Sequence, residues 1–293
     1  MDVVVATIFV LPSRHADRPG PKTADDDAEA GALAWEQLEL YERWEEEGWL
    51  RLLRSRKDLD THLARPRAER LPGAVVLMEG AAPMRDPADV AYWFARGVRA
   101  LGLAWKRTRY AGGTGEPGGL SAEGEELIDA MTHHGVALDV SHLAEEAFWQ
   151  AIERHRGPAL ASHSNARALV DTDRQLSDAM LKAIGARDGV VGLVLADKFL
   201  RAGGNRALGP GEAPVSLDDV ARQAQHLAGR VGWPRLGVGS DFDGGFGRQE
   251  TPVELDRGAD FTRLGDAVPA EHREGFLGGN WARFLRRALP AAR

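Results

Sequence analysis

Metal-binding side chains follow four separate apolar runs of this 293-residue sequence. Glu79 follows the run AVVLM, His142 ends VALDVSH and His163 ends PALASH, while Asp241 and Asp243 follow RLGVGS. Any one of these residues alone could simply cap a strand. Four strand ends together predict a site, because the carboxyl ends of parallel barrel strands open on one face. Two imidazoles with two or three carboxylates suit zinc or a similar divalent ion.

Apolar runs of strand length alternate with amphipathic stretches of helix length along the sequence. This alternation predicts parallel strands, an α/β fold and a single domain over residues 1–293. A closed barrel of parallel strands has eight of them, whereas seven are predicted here: 3–10, 74–78, 98–105, 136–140, 159–161, 190–195 and 236–238. The predicted helices are 32–49, 87–99, 121–134, 144–154, 177–184, 216–231 and 269–289, and the glycine-rich stretches 111–120 and 201–214 are predicted to be long loops.

Composition excludes several classes of site and partner. The sequence contains no cysteine, so disulfides and thiolate metal sites are excluded. The net charge of −7 argues against a nucleic-acid or anionic-membrane partner. No run approaches 18 uncharged apolar residues, so no membrane span is expected. The first residues, MDVVVATIFVLPSR, lack a basic region and a cleavage site. They are therefore predicted to form a strand rather than a secretion signal, and a cytoplasmic location is expected.

Ordered motifs extend from about residue 3 to the carboxyl terminus. Through these motifs and their order, the sequence resembles the membrane (renal-type) dipeptidase family, the M19 metallopeptidases. His142 and His163 keep that family's spacing of 21 positions. The matching segments are MEG at 78–80, GVRALGLAW at 97–105, GGLSAEGEELIDAM at 118–131, HHGVALDVSHL at 133–143, GPALASHSNARAL at 157–169, DRQLSD at 173–178, GVGSDFDG at 237–244 and GGNWARFL at 278–285.

The resemblance implies a (β/α)₈ TIM-type metal-dependent hydrolase barrel with two zinc ions. It implies that Glu79 bridges the two ions and that His142 and His163 complete the second zinc site. Asp241 is then expected to contact the first zinc ion and to carry the proton of the attacking water, as general acid–base catalysis requires. Asp139 is expected to orient the His142 side chain without binding the metal itself. Two close metal ions would lower the pKa of the water and polarise the scissile carbonyl.

Two further residues are assigned to substrate binding. The resemblance implies that Arg174 grips the substrate's carboxyl-terminal carboxylate, to which a guanidinium fork is well matched; the alternative is a surface salt bridge. Trp105 stands where some family members carry a histidine that polarises the substrate carbonyl. It is expected to form a wall of the pocket or, equally well, to be a core aromatic.

The family's first strand, which ends in a His-x-Asp pair that binds the first zinc ion, has no match here. Residue 1 falls where the second strand of the family begins, so the barrel is expected to lack its first strand and helix. A start codon placed too late and a genuinely degenerate chain would both explain this. One well-formed zinc site is therefore expected. His15 and Asp17 resemble the missing pair but follow a different strand, so both are expected to be solvated.

The leading hypothesis is zinc-dependent hydrolysis of dipeptides, with tolerance of a D-residue at the carboxyl-terminal side. Two alternatives remain open: an amidohydrolase acting on an N-acyl amino acid, and a non-catalytic homologue that binds metal. The resemblance to this family also implies a homodimer. Four further histidines lie in polar, helical contexts and are expected to be exposed: His62, His155, His226 and His272.

Overall fold

All seven predicted strands form in the computed structural model, which describes residues 2–16, 23–204 and 214–291. Helices separate them, which confirms the predicted α/β class. Contacts between residues group the chain into two compact units, Met1–Pro158 with Leu285–Arg293, and Ala159–Phe284. The single domain and the missing first strand stay predictions.

The elements of the first unit begin with β1 (Val3–Phe9) and end with α5 (Glu145–Arg154). Between them lie β2 (Leu11–Pro12), β3 (Thr23–Ala24), α1 (Asp27–Glu46), β4 (Arg51–Leu52), α2 (Arg56–Ala64), β5 (Gly73–Glu79), α3 (Asp89–Arg96), β6 (Val98–Gly102), β7 (Ala111–Gly113), β8 (Glu116–Leu120), α4 (Ala122–His134) and β9 (Ala137–Asp139).

The parallel strands of the first unit end in one row. Strand β1 pairs with β5, β5 with β6, and β6 with β9, all in parallel. The register places Phe9 opposite Glu79, Glu79 opposite Gly102, and Gly102 opposite Asp139. All of β5 before Glu79 is buried, as expected for a parallel strand covered on both faces. The register thus brings the carboxyl ends of these four strands side by side.

Helix α4 shows how the sequence fixes the elements that support this row. The Ser121 side chain accepts a hydrogen bond from the Gly124 amide at the first turn, which satisfies a donor that a helix start leaves unpaired. Gly135 takes the left-handed conformation that ends the helix (φ 72°). The apolar side chains of the helix, among them Leu127 and Met131, are fully buried. Burial of each stabilises the fold by about 1.5–3 kcal/mol.

A β-hairpin replaces the first of the two predicted glycine-rich loops. Strands β7 and β8 pair antiparallel, so the prediction of a loop over 111–120 was wrong. A Cβ at Gly113 would lie 2.7 Å from the carbonyl carbon of Lys106, and one at Gly112 would contact the backbone of Gly118. Glycines therefore fill β7 because the neighbouring backbone packs too close for side chains.

The second unit carries three parallel strands. Its elements are β10 (Ala159–Ala161), α6 (Asp178–Ala186), β11 (Val190–Leu193), α7 (Asp197–Leu200), α8 (Leu217–Val231) and β12 (Leu236–Val238). The last helix of the chain, α9 (Asn280–Ala288), begins with residues of the second unit and ends with residues of the first. Strand β11 pairs with β10 and with β12. A capping box formed by Ser216 and Asp219 starts α8. Most of the second predicted loop, at 205–213, lies outside the described residues.

The carboxyl-terminal stretch differs from the single helix predicted for residues 269–289. A 3₁₀ turn over Ala270–His272 and a π-helical turn over Gly275–Gly279 precede α9. Gly278 breaks the helical backbone with φ 157° and ψ −23°. Glycine allows this conformation because it has no Cβ, and a periodic apolar pattern does not reveal it.

Two histidines predicted to be exposed are buried instead. His62 is 1% exposed and its Nε2 lies 2.9 Å from the Asp2 carbonyl oxygen. His155 is fully buried and its Nε2 lies 3.1 Å from the Val136 carbonyl oxygen. The prediction was wrong for both, because each ring satisfies a backbone carbonyl that is distant in sequence. His226 and His272 are half-buried; the first contacts Asp178 and the second stacks on Trp233.

Candidate metal centre

Glu79 and His142 lie together at the carboxyl ends of β5 and β9. Glu79 is the last residue of its strand, and His142 follows β9 by three residues. Their side-chain atoms Oε1 and Nε2 are 3.0 Å apart, and the side chains are 14% and 9% exposed. Two donors that bind one zinc ion at about 2.0–2.1 Å each lie at most about 4 Å apart. The separation of this pair therefore fits one shared metal ion.

A turn after β9 presents His142. The Asp139 carboxylate accepts hydrogen bonds from the backbone amide and the hydroxyl of Ser141, at 3.1 and 2.8 Å. Aspartate commonly closes turns in this way. The side chain predicted to orient His142 thus bonds to the residue that immediately precedes it.

The other ring nitrogen of His142 is held by the hairpin. Its Nδ1 lies 3.0 Å from the Thr114 hydroxyl oxygen, in the turn between β7 and β8. Histidine ligands commonly use one ring nitrogen for the metal while the other bonds to a neighbouring group. Thr114 was not predicted, because nothing local in the glycine-rich segment GGTGEP relates it to a residue 28 positions later.

His163 follows β10 in the second unit, with a similar hydroxyl partner. The Ser162 hydroxyl lies 2.7 Å from His163 Nδ1. A Cβ at Gly192 or at Gly239 would contact the Ser162 carbonyl oxygen. These two glycines therefore let the turn that carries His163 pack against the ends of β11 and β12.

Arg174, the predicted carboxylate-binding residue, is 4% exposed. Its guanidinium donates to the His163 carbonyl oxygen at 2.6 Å and to the Ser164 hydroxyl at 3.1 Å. Phe199 lies beside it, with its ring centroid 5.5 Å from Arg174 Cζ. The alternative of a surface salt bridge was wrong, because this arginine is held in the interior of the second unit beside the backbone of His163.

Three of the predicted ligands carry donors suited to a metal ion. Glu79 and His142 in the first unit, and His163 in the second, each offer one ligand atom. Two imidazole nitrogens and one carboxylate are the donors of many zinc sites that keep a position open for water or substrate. The donor chemistry thus fits a divalent ion of the zinc type.

Asp241 and Asp243 follow β12 in an unusual backbone conformation. Both take positive φ angles, 57° and 67°. Among the described residues the other non-glycine residue with positive φ is Asp188. Aspartate tolerates this region better than most residues, and such backbone often accompanies functional sites. Asp241 is half-buried and Asp243 is exposed, which favours Asp241 as the residue with a chemical role.

Trp105 lies in an aromatic cluster of the first unit. Its ring centroid is 5.5 Å from that of Phe9, 6.3 Å from that of His15 and 6.1 Å from that of His142. The residue is half-buried. Contact with His142 on one side and partial exposure fit the predicted pocket wall better than a core aromatic.

His15 is less exposed than predicted. Its side chain is 11% exposed, and its Nε2 lies 3.4 Å from a Glu116 carboxylate oxygen, so the prediction of a solvated side chain was wrong. Burial lowers the pKa of His15, and the Arg14 and Lys106 charges lower it further, while Glu116 opposes them. Asp17, the other half of the His-x-Asp sequence, lies outside the described residues.

A model of the membrane dipeptidase family, peptidase family M19, matches residues 1–292. The chain belongs to this family. A curated relative, an uncharacterized protein in the pqqA 5'region of Klebsiella pneumoniae, is 32% identical over 271 residues, which are 87% of this chain and 95% of that protein.

Solved structures of the M19 family are similar as well. The crystal structure of dipeptidase AC, a family M19 metallopeptidase, is 26% identical with a TM-score of 0.81, covering 98% of this chain and 86% of that one. A metallopeptidase from Rhodobacter sphaeroides, solved with a phosphinate mimic of the dipeptide L-Ala-D-Ala, is 25% identical with a TM-score of 0.79, covering 96% and 85%.

These findings confirm the predicted family and the predicted TIM-barrel-like α/β hydrolase fold. The chain is an enzyme, a metallo-dipeptidase, and the family implies a bound metal. No helix among the described residues has the length and apolar character needed to cross a membrane.

Proposed function

We propose that this enzyme is a zinc dipeptidase in which Glu79, His142 and His163 bind the metal. The observation that carries the proposal is the 3.0 Å approach of His142 Nε2 to Glu79 Oε1, with Nδ1 of the same ring turned to a hydroxyl. A ring fixed in this way directs Nε2 toward the carboxylate, where a metal ion would be shared. Bound zinc lowers the pKa of a water molecule and polarises a carbonyl oxygen.

The protein's own residues would bind the substrate and move the proton. Asp241 would accept the proton of the attacking water and pass it to the amine that leaves. Arg174 would bind the terminal carboxylate, and it is buried where a charge-assisted hydrogen bond is stronger than in water. Trp105 would form the wall beside the scissile bond. Glu79 and Asp241 are also the carboxylates available to a second, weaker zinc site.

Substrates with a D-residue at the carboxyl-terminal side are included in the proposal. The support is the Rhodobacter sphaeroides relative, whose structure holds a mimic of L-Ala-D-Ala.

The test is hydrolysis by the purified chain loaded with zinc, compared with the same chain after dialysis against a chelator. L-Ala-D-Ala, L-Ala-L-Ala and N-acetyl-L-alanine serve as substrates, and His142→Gln serves as the inactive control. Zinc-dependent release of alanine from the dipeptides supports the proposal. Preferential cleavage of N-acetyl-L-alanine would favour the amidohydrolase alternative, and binding of zinc without any hydrolysis would favour the non-catalytic homologue.

The homodimer and the cellular location stay predictions. Light scattering of the purified chain measures its mass in solution directly. A mass near 64 kDa is expected for two chains of 31.8 kDa each, and a mass near that of one chain would contradict the dimer.

A further inference from the structure

The β7–β8 hairpin contacts the chain on both sides of the His142 ring. Gly113 in β7 forms an antiparallel bridge with Leu143, the residue after His142. Thr114, in the hairpin turn, places its hydroxyl oxygen 3.0 Å from His142 Nδ1. One short element therefore holds both the backbone next to His142 and the side chain itself.

Thr114 is itself fixed by the backbone beneath it. Its amide donates to the Trp105 carbonyl oxygen at 3.0 Å, so the hairpin turn is tied to the segment that carries the aromatic wall. The absence of a side chain at Gly113 permits this approach, since a Cβ there would lie 2.9 Å from the same Trp105 oxygen. The Thr114 hydroxyl is thus placed by backbone contacts rather than by a freely moving loop.

A hydroxyl suits both tautomers of a neutral His142 ring. A neutral imidazole carries one proton, on either Nδ1 or Nε2. With the proton on Nε2 the ring can donate to Glu79, and Nδ1 then accepts from the Thr114 hydroxyl. When Nε2 binds a metal ion the proton must lie on Nδ1, which then donates to the Thr114 oxygen. A backbone carbonyl could serve only the second pattern, because it accepts and never donates.

We propose that Thr114 is a positioning residue for the metal ligand His142 and holds the ring in both tautomers. The proposal rests on the function proposed above, because it takes His142 as a ligand. It predicts that loss of the hydroxyl weakens metal binding by about 10–100-fold, the range found when groups that support metal ligands are removed.

The first experiment measures zinc affinity by competition with a chromophoric chelator. Thr114→Val removes the hydroxyl while keeping the shape, and Thr114→Ser keeps the hydroxyl. Thr262→Val is the matched control, since that hydroxyl bonds to the Ala259 carbonyl in an exposed turn. A 10–100-fold loss in Thr114→Val alone is expected, with affinity restored in Thr114→Ser. Equal zinc affinity in Thr114→Val and the unmodified chain would overturn the proposal.

The second experiment reads the ring directly, by ¹⁵N NMR of histidine-labelled protein with and without zinc. The His142 signals are those missing from His142→Gln. The unmodified chain and Thr114→Ser should show Nε2 protonated without zinc and Nδ1 protonated with it, whereas Thr114→Val should change the tautomer ratio even without metal. Identical tautomer ratios in the zinc-free proteins would overturn the proposed role of Thr114 but not the assignment of His142 as a ligand. No change at His142 when zinc binds the unmodified chain would overturn the ligand assignment as well.

Discussion

Buried histidines occur at both ends of the parallel strands, and their partners differ between the two ends. At the amino ends, His62 contacts the carbonyl of Asp2, just before β1, and His155 contacts the carbonyl of Val136, just before β9. At the carboxyl ends, His142 and His163 instead place Nδ1 against a hydroxyl.

The difference separates structural histidines from candidate ligands. A carbonyl oxygen only accepts, so it fixes a proton on the Nε2 of His62 and of His155 and leaves no lone pair there for a metal ion. A hydroxyl on Nδ1 leaves Nε2 able to face a metal ion in the other two rings. In parallel barrels the carboxyl ends carry catalysis and the amino ends carry stability. The contacts of these four side chains follow that division.

The largest effect is expected at the carboxyl ends. His142→Ala or His163→Ala should abolish stable zinc binding and lower kcat/KM by more than about 100-fold, because even groups that only support a metal ligand contribute 10–100-fold. Zinc per chain, measured by elemental analysis after dialysis, and dipeptide hydrolysis check this together. A variant that keeps both its zinc and its activity would remove that histidine from the ligand set.

Arg174→Lys should have the next largest effect, on substrate binding and not on the metal. Lysine cannot reproduce a planar fork, and hydrogen bonds to charged groups contribute about 1.5–3 kcal/mol. KM for a dipeptide should therefore rise about 10–100-fold while zinc per chain stays constant. The same dipeptide with an amidated carboxyl terminus is the control, because its KM should respond little. Equal rises for both substrates would show that Arg174 supports the His163 backbone only.

At the amino ends the expected effect is on stability. His155→Ala leaves the buried Val136 carbonyl without this hydrogen bond, which costs about 1–3 kcal/mol. The midpoint of urea unfolding, measured on zinc-free protein, should fall accordingly, and zinc per chain after reloading should match the unmodified chain. Loss of zinc in His155→Ala would contradict the distinction between structural histidines at the amino ends of the strands and candidate ligands at the carboxyl ends.

The sequence predicted the features that depend on strand ends alone. Glu79, His142 and His163 were found because each closes an apolar run, and parallel strands gather such ends on one face. Two histidines of the same chemistry, His62 and His155, were assigned wrongly to the surface. Their partners are carbonyls 60 and 19 residues away, and a periodic pattern carries no information about such contacts.

The supporting groups were also beyond sequence reasoning. Thr114 lies in a glycine-rich stretch that was predicted to be a loop, and it meets His142 only after β7 and β8 have paired. The close approach of Ser162 to β11 and β12 depends on Gly192 and Gly239, whose importance appears only when the neighbouring backbone is in place. Local patterns thus located the candidate ligands, while tertiary packing decides how their side chains are held.

His15 also follows the carboxyl end of a parallel strand, β1, and its ring contacts Trp105. Substitution of His15 therefore tests whether this position is sufficient to make a histidine a metal ligand. His15→Gln should leave zinc per chain unchanged and alter only the pH dependence of stability. The folded chain holds the pKa of His15 below its ordinary 6.5, chiefly through burial. Between pH 6.5 and that lower value the unfolded chain binds a proton that the folded chain does not, so stability falls as the pH drops through this window.

Urea unfolding between pH 7.5 and 5 measures the effect. His15→Gln should flatten the decline, and Glu116→Gln should steepen it, because the Glu116 carboxylate raises the pKa of His15 against the effect of burial. Profiles that coincide in all three proteins would remove His15 as the group responsible. Loss of zinc in His15→Gln would instead make His15 a metal ligand, and the hydroxyl partner on Nδ1 would no longer distinguish ligands from other buried histidines.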